Sequence, residues 1–192
     1  MLTLGILLAI VVVLALWVVG AYNGLISLKN QVLNAWKQID VQLKRRHDLI
    51  PNLVNTVKGA MNFEKGTLDA VISARAKAVS ATGVKETARA EGELTQALGR
   101  LFALTEAYPD LKATGNVAQL QEELTSTENK IGFARQLYND MATQYNTRQM
   151  QFPTSLVAGL AKASPAELWE IEDAGERAVP VVDLTSPRPP AA

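Results

Sequence analysis

An all-α fold, an N-terminal transmembrane helix followed by an elongated antiparallel four-helix bundle, is what the sequence predicts, and three observations predict it. Residues 2–22 are an unbroken apolar run, and the first charged side chain is Lys29. Beyond that run, apolar residues recur at steps of three and four along most of the chain, the period of one helical face. No strand-like alternation competes with that rhythm. A length of 192 residues fits one domain with an appendage.

The first element is the span. LTLGILLAIVVVLALWVVGAY leaves apolar character only at Thr3, Gly5 and Gly20, and as a helix it reaches roughly 30 Å, enough to cross a bilayer core. Trp17 and Tyr22 lie near one end, where amphipathic rings favour the headgroup level. A cleaved signal peptide is the rival, with Val19-Gly20-Ala21 as its cleavage site. It would ask for a shorter apolar stretch behind a basic leader, and none precedes this one. A helix apolar on every face has no small soluble core to enter. Lys29 and Lys37 are the nearest basic residues, which by the positive-inside rule favours a cytoplasmic main domain. Lys44, Arg45 and Arg46 would stand about 33 Å beyond Tyr22 on a continuing helix, too far to weigh in that count.

The first bundle helix follows from Val32, Trp36, Ile39, Leu43, Ile50, Leu53 or Val54, Val57 and Met61. Its stripe is interrupted at Arg46 and His47, where the heptad rhythm asks for a core residue. Pro51 has no N–H for the carbonyl of His47, so a kink or local break is expected there. A second helix rests on Leu68, Val71, Ile72, Arg75 and Val79, passes a weak point at Gly83, and resumes with Ala90, Leu94, Leu98, Leu101 and Thr105 until Pro109 ends it. Asn116 is a candidate cap for the third. That helix carries Val117, Leu120, Leu124, Thr127, Ile131, Ala134, Tyr138, Met141 and Tyr145, a coiled-coil-like seam that closes near Phe152-Pro153. Thr127 and Ala134 bury little, which points to close antiparallel packing within a bundle.

Ser164-Pro165-Ala166-Glu167 matches a capping box, predicting a short acidic helix through Arg177 with Glu167, Glu170, Glu172, Asp173 and Glu176 on it. From Pro180 a proline-rich tail follows. The organisation is therefore an anchor over 1–22, a helical bundle over 23–163, and an acidic helix with its tail over 164–192. Residues 29–61 hold six basic and two acidic groups and residues 164–192 the reverse. Complementary ends can dock, but solvated faces are the reading to prefer, since exposed ion pairs contribute only about 0–1 kcal/mol.

Composition excludes much chemistry. With no Cys and one His there is no disulfide, no thiolate nucleophile, no lipid-modified cysteine and no thiolate metal site. A di-metal carboxylate bundle asks for two Glu-x-x-His units, which a single histidine cannot supply. Formal net charge is zero, which argues against broad binding of nucleic acid. Neither a P-loop nor a dinucleotide fingerprint occurs. Two charged groupings stand out: Asp40, Lys44, Arg46, His47 and Asp48 beside Pro51, and Arg75, Glu106, Glu128, Arg135 and Asp140 further on. A structural ion-pair network is expected, with Asp40 or Asp48 paired to Arg46 or to Arg135. His47 reads as a polar partner of the kink, with a pH-sensitive role as the lesser reading. Trp36, Tyr138 and Tyr145 read as core aromatics. No catalytic, cofactor-binding or metal-binding residue is assigned.

The chain resembles the LemA family of bacterial single-span membrane proteins. The residues that carry the resemblance are YNGLISLKNQVLNAWKQIDVQLKRRHDLIPNLVNTVKG (22–59), VISARAKA (71–78), AYPDLKA (107–113), TENKIGFARQLYND (127–140) and YNTRQMQFP (145–153). The segment after Pro153 matches loosely. The resemblance implies a short anchor in the bacterial inner membrane and an elongated antiparallel bundle, and it brings no established catalytic residues. Asn62-Phe63-Glu64 departs from the His-Glu pair of much of the family, so no metal or acid-base role is built there.

The function expected is a membrane-anchored helical scaffold or adaptor, held by lipid through residues 2–22 and binding a protein partner or a second copy. A membrane-surface or lipid-responsive protein is the alternative; an enzyme using carboxylates alone is the least supported. No small-molecule substrate is inferred.

Overall fold

The computed structural model describes residues 1–58, 65–108 and 115–170. Met61, Asn62, Phe63, Glu64 and Pro109, and the expected acidic helix and tail from residue 171 onward, lie outside the described residues. The elements are α1 (Leu2–Lys58), α2 (Lys65–Ser80), α3 (Val84–Glu106), α4 (Gly115–Met150) and the single turn α5 (Ser155–Ala158), and among the described residues there is no strand. The fold is an all-α bundle.

α1 is continuous across both the apolar run and the bundle, 57 residues or about 86 Å at 1.5 Å per residue. Residues 1–16 are exposed on every face, and the apolar window of α1 has a mean hydropathy of 3.0 with none of it buried against the rest of the chain. From Leu25 the helix enters the bundle. Leu25, Val32, Ile39, Arg46 and Leu53 are all buried, so the side chain that breaks the apolar rhythm still takes the core position.

α4 runs antiparallel to α1, with Trp36 against Tyr138 and Arg46 against Glu128. Its buried residues follow the seam from Val117 to Tyr138, with Leu120 half-buried, and then add Ala142 and Gln149 on either side of the expected Tyr145. Met141 is only half-buried. The drift is expected, because 3.6 residues per turn does not divide seven. The helix is already formed at Gly115, so Asn116 lies within it and is not its cap.

The expected second helix is two. α2 stops at Ser80 and α3 starts at Val84, with Gly83 at φ 80° between them, a backbone state that glycine adopts without the steric cost of a Cβ. The hairpin so formed brings Lys77 Nζ to 2.9 Å from Glu93 Oε2. Its inner face on α2 is Leu68, Val71, Ala74 and Ala78; Ile72 and Val79 point outward instead. On α3 all five expected residues, Ala90, Leu94, Leu98, Leu101 and Thr105, are buried.

The hydrophobic interior divides in two. The distal core joins Ile50, Leu53 and Val57 of α1 to the α2–α3 hairpin and to Val117 and Leu124 of α4. The proximal core lies where α1 and α4 run mainly as a pair, around Leu25, Val32, Ile39, Ile131, Tyr138 and Tyr145.

One long edge of that pair is sealed by residues 161–170, which are not helical, so the capping box at Ser164 does not start a helix. Two asparagines explain why. Asn146 Nδ2 donates to the Ala166 carbonyl at 2.8 Å and its Oδ1 accepts from the Ala166 N–H at 2.7 Å. Asn139 does the same to Trp169, at 3.0 and 2.8 Å. Seven residues of helix rise about 10.5 Å, and three residues of extended chain span about 10 Å. The two carboxamides therefore match an extended strap and could not match a helix, whose three residues rise only about 4.5 Å. Trp169, 4% exposed, packs on Trp36 at 5.9 Å between ring centroids. Burying that ring gives more than the roughly 1 kcal/mol of a helix cap.

Tyr138 Oη donates to the Glu167 carbonyl at 2.7 Å. Burial, with the Glu167 carboxylate adding to it, holds its hydroxyl above the ordinary phenol value of 10.0. The folded chain thus keeps a proton that the unfolded chain loses, so this contribution is complete below about pH 10 and fades as pH rises further. In alkaline unfolding titrations, Tyr138→Phe is expected to flatten the loss of stability above pH 10 relative to the parent; parallel curves would contradict this.

Candidate functional site

Between the two cores lies a layer of charge built from three helices. Arg46, 3% exposed, reaches Glu91 Oε2 of α3 at 3.2 Å and Glu128 Oε2 of α4 at 3.0 Å, and donates to Thr95 Oγ1 at 2.7 Å. His47 Nε2 donates to the other oxygen of Glu91 at 2.6 Å. Glu91 is itself 3% exposed, so both of its oxygens are bonded where water cannot reach them. Arg135 continues the layer, 3.9 Å from Glu128 and 5.9 Å above the Trp169 ring, a cation–π distance.

The backbone at Pro51 is solved by a side chain. The His47 carbonyl, which loses its helical partner because proline has no N–H, accepts from Arg75 Nε of α2 at 2.7 Å. α1 therefore continues through Pro51 to Lys58, so of the expected kink or local break the break does not occur.

The structural network expected around Arg46 exists, but with other partners. Asp40, Lys44 and Asp48 are exposed, and the carboxylates that hold Arg46 come from α3 and α4. Of the second grouping, Glu128 and Arg135 join this layer, Arg75 caps the His47 carbonyl, and Asp140 is exposed. Trp36 is half-buried, Tyr138 and Tyr145 fully. Glu91, Thr95, Asn139, Asn146 and Trp169 were not singled out from the sequence. Glu91 carried a signal: Thr87, Glu91, Leu94, Leu98, Leu101 and Thr105 alternate steps of four and three, which puts a carboxylate on the buried stripe. Among the described residues no cluster of three or more metal-ligating side chains occurs.

The second long edge of the α1–α4 pair is open. Lys37, Val41 and Gln42 of α1 and Lys130, Phe133 and Leu137 of α4 line a cavity of about 460 Å³ there. Phe133 is 74% and Val41 62% exposed, and among the described residues Gln42 Oε1 is buried with no hydrogen-bond partner.

An exposed apolar helix leading into a bundle whose charges are bonded to one another fits a membrane protein with an all-α domain. The comparisons agree with that class. The sequence profile of the LemA family matches residues 35–184, through the strap and beyond the loosely matching boundary at Pro153. The chain is 32% identical over 142 residues to Protein LemA of Metamycoplasma hominis, covering 73% of this chain and 64% of that protein. It is 23% identical over 181 residues to Magnetosome protein MamQ 2 of Paramagnetospirillum magneticum and 22% over 181 residues to Magnetosome protein MamQ of Magnetospirillum gryphiswaldense, covering 81% of this chain and 66% of each. The chain thus spans a little under two thirds of the length of the curated relatives it matches. It belongs to the LemA family.

Two measurements probe the charged layer. Arg46→Met leaves Glu91 buried without its cation and is expected to cost about 3–5 kcal/mol, most of it recovered when Glu91→Leu is added, because an unpaired buried charge is what destabilises. Chemical unfolding of the full chain in detergent, followed by helical circular dichroism, reads both. Arg75→Met is expected to cost about 1–3 kcal/mol by stranding the His47 carbonyl. Pro51→Ala, which restores a backbone donor, should therefore stabilise the Arg75→Met chain more than it stabilises the parent; equal gains would contradict the assignment.

Proposed function

We propose that the chain is a membrane-anchored scaffold that works by binding, with the open edge of the α1–α4 pair as its docking site. The observation that carries the reading is the groove itself. Exposed Phe133, Val41 and Leu137 offer an apolar surface, and Lys37 and Lys130 flank it. The occupant that fits is a helix of a partner protein with an apolar stripe and carboxylates on its flanks. Such a helix would give this edge what the strap gives the other.

Catalysis has less to stand on. Arg46, His47 and Glu91 are engaged with one another rather than converging on a concave site. In this reading the anchor lies in the bacterial inner membrane. Lys29 and Lys37, the cations nearest the span, favour the cytoplasmic side for the bundle.

The test is site-specific photocrosslinking in intact cells. With the crosslinker at Val41, Phe133 or Leu137 a discrete protein adduct is expected, at least tenfold weaker from Asp40, which is exposed on α1 outside the groove. Phe133→Asp should abolish the adduct formed from Val41. Equal yields from groove and non-groove positions would remove the proposal, and an adduct of twice the chain's mass would make the partner a second copy.

A further inference from the structure

The turn that joins α4 to the strap is unlike the rest of the bundle surface. Met150, Phe152, Leu156 and Leu160 are between 69% and 80% exposed, four large apolar side chains within eleven residues. They are not misplaced core residues, for Val157 and Ala161 of the same turn are buried, and Ala161 belongs to the same core as Leu25. The turn is therefore fixed in place with its apolar side chains outward.

Where it is fixed matters. Trp36 lies against Tyr138 and Arg46 against Glu128, and antiparallel helices keep such a register. Followed toward the N-terminus of α1, that register brings Phe152 about level with Tyr22, where the apolar run ends. The formal charge on both sides of that level is of one sign. From Met1 to Ile39 and again from Met141 to Ala166 there is no Asp or Glu, while Lys29, Lys37, Arg148 and Lys162 fall within those stretches. Exposed apolar side chains in a stretch that holds Arg148 and Lys162 and no carboxylate suit the boundary between acyl chains and anionic headgroups.

We propose that Met150, Phe152, Leu156 and Leu160 form a second membrane contact, a collar that seats the base of the bundle in the headgroup region of the leaflet from which α1 emerges, with Arg148 and Lys162 meeting anionic lipid. The contact is independent of the groove. Its occupant is lipid because the collar continues the surface of the spanning helix. With two points of attachment, α1 and the turn, the bundle is held in one orientation about the α1 axis.

The chain has no cysteine, so a single introduced one can carry a nitroxide. Leu156→Cys and Leu160→Cys replace exposed side chains, and the full protein is reconstituted in vesicles of phosphatidylethanolamine and phosphatidylglycerol. Accessibility to oxygen relative to a water-soluble nickel chelate is then read by electron paramagnetic resonance. At both positions the oxygen-to-nickel ratio is expected to be several-fold above that of Asp48→Cys, which is exposed higher on α1. Arg148→Gln with Lys162→Gln should lower it. A ratio equal to that at Asp48→Cys would place the collar in water, and protection from both reagents would place it against protein; either result overturns the proposal.

Discussion

Arg46 cannot be buried alone, and that constraint organises the bundle. A lone guanidinium at 3% exposure would be prohibitively costly to desolvate. It is tolerated because α3 brings Glu91, α4 brings Glu128, and both arrive within 3.2 Å. The contact fixes the height of three helices at once. Shifting α4 by one turn moves Glu128 about 5.4 Å away, whereas an apolar seam of alternating Leu, Ile and Ala would accept several registers with little penalty. Arg75, answering the carbonyl that Pro51 strands, ties the fourth helix to the same level. The two apolar cores supply the bulk of the burial; the charged layer between them selects which arrangement is stable.

Much of this was legible in the sequence. The seams of α1, α3 and α4 follow from three-and-four spacing, and the exposed opening helix from the absence of charge before Lys29. What escaped depends on contacts between distant segments. Ile72 and Val79 look like core residues beside Val71, but the α2 face that meets α3 is narrow and takes Ala74 and Ala78 instead. Asp40 and Asp48 are close to Arg46 in sequence and point away from it, since side chains two or six apart leave a helix in different directions. The capping box at Ser164 is a sound local signal overruled by tertiary contact. Four backbone hydrogen bonds to Asn139 and Asn146, with the burial of Trp169, outweigh a cap that stabilises by about 1 kcal/mol.

The α1–α4 pair has two edges of opposite character. On one, Asn139 and Asn146 stand on the same flank of α4 and grip an extended backbone through its amides, while Ala163, Ala166, Leu168 and Trp169 pack against the proximal core. On the other, Phe133 and Leu137 are left to solvent. Among the described residues the Trp169 Nε1 is buried with no hydrogen-bond partner.

The strap also imposes an order on biosynthesis. A ribosome delivers Trp36 long before Trp169, and at about 5–20 residues per second the interval is on the order of 10 s. Throughout it the opening helix is available to the insertion machinery while the aromatic face of Trp36 has no lid. Closure therefore comes after the α1–α4 pair is complete, and a nascent chain interrupted before residue 169 exposes the Trp36 face that chaperones and quality-control proteases can read as unfinished.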